Sequence, residues 1–134
     1  MKPNYLTILI TTLCIFFNAC HNSNTAPQLQ LADSLIDKRA DSALCILEKL
    51  SIEEISNKSA KAMYALLLTE ALDKNFKSHR NDSLILIAVD YYKDNSNNKL
   101  KTKAYYLGRV YQDNKEYIKA TEAYLTALKT ASPN

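Results

Sequence analysis

Glycine and proline are scarce in this chain, and the scarcity limits the folds that it can adopt. The 134 residues include one glycine and three prolines, whereas a strand-rich domain of this size needs many more residues that form tight turns. Hydrophobic residues make up 47% and charged residues 23% of the chain, as in globular rather than disordered proteins. The composition therefore predicts one domain of helices joined by short polar connections.

The charge and the chemistry-bearing side chains argue against several classes of function. The formal net charge of +3 is too small to indicate nucleic acid as a partner. His21 and His79 are far apart and the cysteines lack a metal-ligand spacing, so no metal and no cofactor are expected. We expect both histidines to be solvated, and the chain has no phosphate-binding glycine loop, nucleophile elbow or zinc-protease motif. The sequence predicts a protein that is not an enzyme.

The first twenty residues have the pattern of a secretion signal. After Lys2, an almost uninterrupted apolar run extends from Leu6 to Phe17. As a helix this run spans about 18 Å, well short of the roughly 30 Å hydrocarbon core of a bilayer. The length favours the apolar core of a signal peptide. The alternative is a buried N-terminal helix.

The end of this run, Phe17-Asn18-Ala19-Cys20, resembles the lipobox of bacterial lipoproteins. The resemblance implies that residues 1–19 are removed as a signal peptide and that Cys20 is acylated with palmitate and related chains. Residues 20–27 would then be a flexible tether to a domain at 28–134. The protein would lie in the cell envelope, with its lipid in the outer membrane and its domain facing the periplasm. Several acyl chains hold a protein on a membrane essentially permanently.

Cys45 is the one cysteine that this processing leaves unmodified, since Cys14 would be removed and Cys20 would carry lipid. A single remaining cysteine has no partner for an internal disulfide. Because Cys45 lies among apolar neighbours, we expect it to be a small buried hydrophobic residue.

Apolar residues at helical spacing predict six helices in three consecutive pairs. The predicted helices cover residues 27–38, 42–50, 58–74, 82–93, 99–112 and 115–131. Pro27 suits the first turn of the first helix, Asp41 is expected to cap the second, and a polar break at 75–80 follows the third. The periodicity of 84–89 also fits a buried strand, but Asp82-Ser83 in front of it favours a helix.

The last 34 residues, 101–134, resemble a tetratricopeptide repeat, a family with a repeat of about 34 residues. The residues that carry the resemblance are Leu107, Gly108, Tyr111, Ala120, Tyr124 and Ala127. Ala104 stands where the family often has tryptophan, Pro133 comes one residue late, and the two earlier helical pairs are more degenerate. The resemblance implies an all-α stack of about three antiparallel helical hairpins, a short α-solenoid that is either complete or truncated.

Gly108 is the chain's only glycine and falls in the middle of a predicted helix, where it costs about 1 kcal/mol relative to alanine. We expect a close helix contact to offset this cost, with Ala120 as the small neighbour and Tyr111 and Tyr124 filling the space around it. The alternative is a glycine tolerated in an ordinary amphipathic helix.

In this family the first helix of each repeat lines a groove that binds peptides or helices of other proteins. Carried over to this chain, the groove positions are Tyr105, Arg109 and Gln112. Arg109 could clamp a carboxylate and Tyr105 could stack on an apolar side chain. A solvated Arg109 and a half-buried Tyr105 are the alternative.

The final predicted helix also leaves an apolar face open, at a place where solenoids usually carry a polar cap. Its apolar residues are Ala120, Tyr124, Leu125, Ala127 and Leu128. A bound partner, self-association or a longer repeat array would each cover this face. The sequence thus predicts a membrane-anchored, non-catalytic module with an unidentified protein or peptide partner. The alternative is the sensory or truncated front end of a larger signalling protein.

Overall fold

The computed structural model describes residues 25–79, 82–93 and 99–129, and within these ranges it is all-helical. Its helices are α1 (Ala26–Leu35), α2 (Ala40–Leu47), α3 (Lys58–Lys74), α4 (Ser83–Lys93), α5 (Lys99–Asp113) and α6 (Tyr117–Lys129). The predicted all-α class is confirmed, and so is the choice of helix over strand at 84–89. The predicted signal peptide 1–19, the lipidation site Cys20 and Pro133 lie outside the described residues.

The helices pack as three consecutive hairpins, and first helices contact first helices across the hairpins. The most extensive contacts join α1 with α2, α3 with α4 and α5 with α6. In addition, α3 contacts α1 and α2, while α5 contacts α3 and α4. In the part of the chain that the structure describes, the backbones of α2 and α4 are not in contact, and neither are those of α4 and α6. The first helices α1, α3 and α5 therefore form one layer of the stack.

Helix α3 is central because it contributes to two apolar clusters. One cluster joins it to α1 and α2 through residues such as Leu29, Leu47 and Leu67. The other joins it to α4 and α5, and its buried members are Ala62, Ala65, Leu66, Ile85, Ala88, Tyr92, Tyr106 and Val110. Full burial of a large apolar side chain stabilises a fold by about 1.5–3 kcal/mol, so α3 is the helix on which the stack depends most.

The predicted starts of α2 and α3 differ in how well they agree with the structure. Helix α3 begins at Lys58 as expected, and the Asn57 side chain accepts a hydrogen bond from the Ala60 amide at 3.0 Å. Helix α2 begins at Ala40 instead of residue 42, with Arg39 at the N-cap. The prediction that Asp41 is the cap was wrong: its carboxylate lies in the first helical turn, where it still faces the positive end of the helix dipole.

Helices α3 and α5 end in the same backbone motif, with a left-handed residue that is not glycine. Phe76 has φ 55° and Lys115 has φ 63°. Both ends carry the paired hydrogen bonds of a Schellman motif: Lys77 N to Leu72 O at 2.9 Å, Phe76 N to Asp73 O at 3.0 Å, Glu116 N to Tyr111 O at 2.8 Å and Lys115 N to Gln112 O at 3.0 Å. Because Lys115 turns the chain in this way, α6 starts at Tyr117 and not at residue 115.

The connection after α3 is five residues longer than the connection after α5, since residues 75–82 and residues 114–116 form the two links. His79 holds the longer connection in place, with a side chain that is only 3% exposed. Its Nδ1 lies 2.7 Å from Asp113 Oδ2 and its Nε2 lies 3.2 Å from the Thr69 carbonyl oxygen. Its backbone N–H donates to the same Asp113 oxygen at 3.1 Å.

The prediction that His79 is solvated was therefore wrong. Both ring nitrogens face acceptors, so a doubly protonated ring donates to each, whereas a neutral ring donates to one. The sequence around His79 does not indicate that the Asp113 carboxylate, 34 residues later, packs against this loop. Burial thus comes from a contact between two hairpins.

Cys45 is exposed, which contradicts its predicted burial. In the short helix α2, the buried positions are Ala43, Leu44 and Leu47, and Cys45 falls on the opposite side. Apolar neighbours in sequence do not make a helical residue buried, because only one face of the helix meets α1 and α3.

Candidate partner-binding groove

The ring of Tyr124 lies directly on the backbone of α5 at Gly108. A Cβ atom at position 108 would lie 2.6 Å from Tyr124 Cδ1 and 2.9 Å from Cζ, and closer still to Cε1. Carbon atoms in contact prefer about 3.5–4.0 Å, so this arrangement requires glycine. The sequence analysis expected Tyr124 beside this contact, and the three atoms nearest to the Cβ position all belong to its ring. Ala120, the other expected neighbour, is buried on α6.

Two further contacts hold the Tyr124 ring in this position. Its hydroxyl donates to Gln112 Oε1 at 2.8 Å, and its ring centroid lies 5.9 Å from that of Tyr105. Tyr105 in turn packs edge-on against Tyr106, with centroids 5.1 Å apart and ring planes at 78°. Such tilted arrangements are favourable for aromatic rings. Gly108 thus allows three tyrosines to gather at one place on α5 and α6.

Of the three predicted groove residues, Arg109 is already engaged within the chain. Its Nε donates to Asp73 Oδ1 on α3 at 2.6 Å, and its guanidinium also donates to Gln112 at 3.3 Å. The hydrogen bond and the negative charge of Asp73 raise the pKa of Arg109. The sequence analysis offered two roles for Arg109, a clamp for a partner's carboxylate or a solvated side chain, and neither included this pairing with Asp73. The side chain joins α5 to α3.

A cavity of about 530 Å³ has lining residues from α3, α5 and α6. Its lining residues are Glu70, Thr102, Tyr105, Tyr106, Tyr124, Ala127 and Leu128. Tyr106 is buried and the Glu70 side chain is 12% exposed, whereas Tyr105 is 44% exposed. The carboxylate and one ring therefore lie deep in the cavity, and Tyr105 lies at its mouth.

The Glu70 carboxylate takes part in a small charged network. The Tyr106 hydroxyl bonds to it, and burial first and then Glu70 raise the pKa of Tyr106. Lys74 Nζ lies 3.3 Å from Glu70 Oε1 and 2.6 Å from Oδ1 of Asp37, which lies in the turn after α1. The hydrogen bond to Asp37, above all, raises the pKa of Lys74. Two carboxylates thus share one ammonium group.

A second cavity, of about 400 Å³, continues from the first toward α1. Its lining residues are Asp33, Ile36, Asp37, Leu66, Leu67, Glu70 and Thr102, so the two cavities share Glu70 and Thr102. We call the two together the first-helix groove, because α1, α3 and α5 supply most of its lining. A cavity of about 630 Å³ beside Thr25 is larger, but among its described lining residues Glu54 alone is charged and none is aromatic.

The remaining repeat-defining residues take packing positions. Leu107 is partly buried against the second apolar cluster, and Ala120 and Ala127 are buried. Tyr111 is also partly buried, with Lys119 Nζ 5.3 Å from its ring centroid. These placements do not test the family assignment, which stays a prediction.

One face of α6 is apolar and open to solvent. Its exposed residues are Tyr117, Ile118 and Leu125, and we call them the α6 outer face. The sequence predicted an open face at Leu125 and Leu128, and Leu128 is exposed as well but lines the cavity of the groove. Ala120, Ala127 and Tyr124, which were predicted with them, pack toward α5 instead.

No family model, curated protein or solved structure matches this chain. Among residues 25–79, 82–93 and 99–129, no group of three histidine, cysteine, aspartate or glutamate side chains could hold a metal ion. The helices of this part of the chain are too short or too polar to cross a bilayer.

Proposed function

We propose that this chain is a lipid-anchored, non-catalytic interaction module of the bacterial envelope. Three hairpins of the tetratricopeptide type would present the first-helix groove to a protein or peptide partner. The observation that carries the proposal is Tyr105, an aromatic side chain 44% exposed at the mouth of a cavity of about 530 Å³. Half-exposed tyrosines beside a pocket are typical anchors of protein interfaces.

The way in which the groove is held together supports binding without rearrangement. Lys74 joins α3 to Asp37 in the turn after α1, and Arg109 on α5 pairs with Asp73 on α3. Contacts that fix the relative positions of the first helices also fix the groove between them. A preformed surface loses little conformational entropy on binding.

The lipid anchor is tested by metabolic labelling with a clickable palmitate analogue. We expect the full chain to be labelled in bacteria and Cys20→Ser to lose the label. Cys45→Ser is the matched control, because it removes an exposed thiol outside the lipobox and should keep the label. Label that persists in Cys20→Ser would refute the anchor.

The interaction is tested by the size of the protein after gentle solubilisation of envelopes in a neutral detergent. We expect a species larger than the detergent-bound monomer, which Tyr105→Ala abolishes and Glu122→Gln, a change on the exposed side of α6, preserves. A monomer in every sample, or a large species that is insensitive to Tyr105→Ala, would count against the groove as the contact surface.

A second candidate function is favoured by the α6 outer face. Helix α4 is covered by α3 and α5, and a further first helix would cover α6 in the same way. The chain would then be the front end of a longer repeat protein with a sensory or regulatory role. Mass spectrometry of the denatured protein isolated from cells distinguishes the two, because denaturation removes non-covalent partners and this candidate requires a single polypeptide clearly heavier than 15.2 kDa.

A further inference from the structure

We propose that the first-helix groove binds a basic segment of a partner protein, with an arginine side chain in the tyrosine-lined cavity against Glu70. The inference rests on the proposed function, because it assigns the chemistry of the partner for the same groove.

The walls of the cavity suit a planar cation. Tyr105, Tyr106 and Tyr124 line it together, and the faces of aromatic rings attract cations. A guanidinium group stacks on such rings and donates two parallel hydrogen bonds to a carboxylate. Glu70 supplies that carboxylate at depth, with 12% of its side chain exposed. The cavity, at about 530 Å³, falls within the usual range of about 300–1,000 Å³ for ligand sites.

The charges of the groove favour a basic occupant. Three carboxylates whose bonds are described lie in the groove or next to it, Asp37, Glu70 and Asp73, and the cations that they contact are Lys74 and Arg109. Lys74 is shared between two carboxylates. A mostly buried carboxylate that shares its counter-ion is stabilised by a further cation.

The same pairings disfavour an acidic occupant. Arg109, the residue that would clamp a carboxylate, is held 2.6 Å from Asp73. An acidic segment would have to displace Asp73 and lie beside Glu70. A basic segment requires neither change, and its next residues would pass over the second cavity, where the exposed carboxylate of Asp37 lies.

Two labelled hexapeptides test this inference by fluorescence anisotropy on the full chain in a neutral detergent. One is Gly-Ser-Arg-Arg-Ser-Gly, and the other carries citrulline in place of both arginines, which keeps the shape and removes the charge. We expect the arginine peptide to bind at least about tenfold more tightly, because citrulline loses the charge-assisted bonds to the carboxylate.

Three variants locate the site. Glu70→Gln should weaken the arginine peptide by about tenfold, and Tyr105→Leu should weaken it by several-fold through the lost ring face. Glu122→Gln makes the same change of charge on an exposed residue of α6 and should leave binding within about twofold. If Glu70→Gln lowers the stability of the fold, Tyr105→Leu still tests the site, because the half-exposed Tyr105 ring can be replaced with little effect on folding.

Four results would overturn the inference: equal affinity for both peptides, no binding of either at 1 mM, equal weakening by Glu70→Gln and Glu122→Gln, or displacement of the peptide by tetramethylammonium at equal concentration. The last would make a small cation the occupant. If one of these is found while the Tyr105-dependent complex from envelopes persists, the partner chemistry is wrong and the proposed function stands.

Discussion

In the second and third hairpins the first helices end in the same way, whereas the second helices differ in how many neighbouring helices cover them. Helices α3 and α5 both finish in a Schellman motif with a non-glycine residue in the left-handed region, Phe76 and Lys115. Their second helices differ, because α4 contacts both α3 and α5, while α6 contacts α5. The comparison teaches that the local end of a helix follows from backbone hydrogen bonding, whereas burial depends on what the next element covers.

The two hairpins also differ in the residue that their first helices carry at equivalent positions, Gly108 and Thr69. In the third hairpin, the lack of a side chain at Gly108 admits the Tyr124 ring. In the second, Thr69 stands 39 residues earlier, the same spacing that separates Phe76 from Lys115, and its hydroxyl donates to Ala65 O at 2.8 Å. The Thr69 carbonyl meanwhile bonds to His79. The longer connection of the second hairpin therefore returns a side chain to its own first helix.

The largest contrast is expected between isoleucines of the two second helices. Ile85 on α4 is fully buried and Ile118 on α6 is 80% exposed. We expect Ile85→Ala to lower the free energy of unfolding by about 2–5 kcal/mol, and Ile118→Ala to change it by less than about 0.5 kcal/mol. Urea denaturation followed by circular dichroism measures both. Comparable losses would mean that the α6 outer face is covered in solution.

The second contrast concerns the sign of one substitution. Gly108→Ala should lower the free energy of unfolding by about 1–2 kcal/mol, because the new methyl group displaces the Tyr124 ring from a tight contact. In a Tyr124→Ala background the same change should instead stabilise by up to about 1 kcal/mol, since alanine is the better helix former. Thermal denaturation of the four proteins gives the coupling. Additive effects would show that ring and glycine do not touch.

The third contrast concerns the contact between His79 and Asp113, which links the second and third hairpins and is expected to depend on pH. Burial acts to raise the pKa of Asp113, but the hydrogen bonds from the His79 backbone and ring outweigh it and lower this pKa below its usual 3.8. The carboxylate therefore stabilises the fold fully above about pH 3.8, and this contribution is lost as the pH falls through the lower folded pKa.

Asp113→Asn tests this link because it keeps the shape of the side chain and removes its charge. The variant should be less stable than the parent by about 1–2 kcal/mol at pH 6, and the difference should shrink below pH 3.8. Urea titrations at a series of pH values provide the measurement. A difference that is constant down to pH 2.5 would contradict the role of the charged form.

The smallest contrast concerns the shared helix ends. Phe76 is 99% exposed, so its ring contributes no burial, and its left-handed backbone disfavours any side chain. Phe76→Gly should raise the free energy of unfolding by about 0.5–1 kcal/mol, and Lys115→Gly should do the same. A loss of stability on Phe76→Gly would mean that the ring makes a contact in solution that its exposure conceals.

Sequence reasoning predicted what depends on spacing within one helix. The bounds of α3, the helical nature of 84–89 and the longer break after α3 follow from periodicity and polar residues. Gly108 also stood out, since a glycine inside a helix needs a compensating contact. In each of these cases the signal lies within a few residues of the element that it predicts.

The spacing of residues within one helix did not predict the contacts between hairpins. His79 with Asp113 and Arg109 with Asp73 join residues more than 30 positions apart, and they depend on how each helix is rotated about its own axis. The rotation of α6 likewise places the Tyr124 ring directly on Gly108, and the rotation of α2 turns Cys45 outward. One sequence has no periodic signal for these rotations.

In-cell photo-crosslinking tests the central claim, that the first-helix groove is a contact surface, most directly. A benzophenone amino acid is placed at position 105, at the mouth of the cavity, and separately at position 122 on the exposed side of α6. The account predicts a discrete protein adduct from position 105 that disappears in Glu70→Gln, and none from position 122. The same adducts from both positions, or none from position 105, would contradict it.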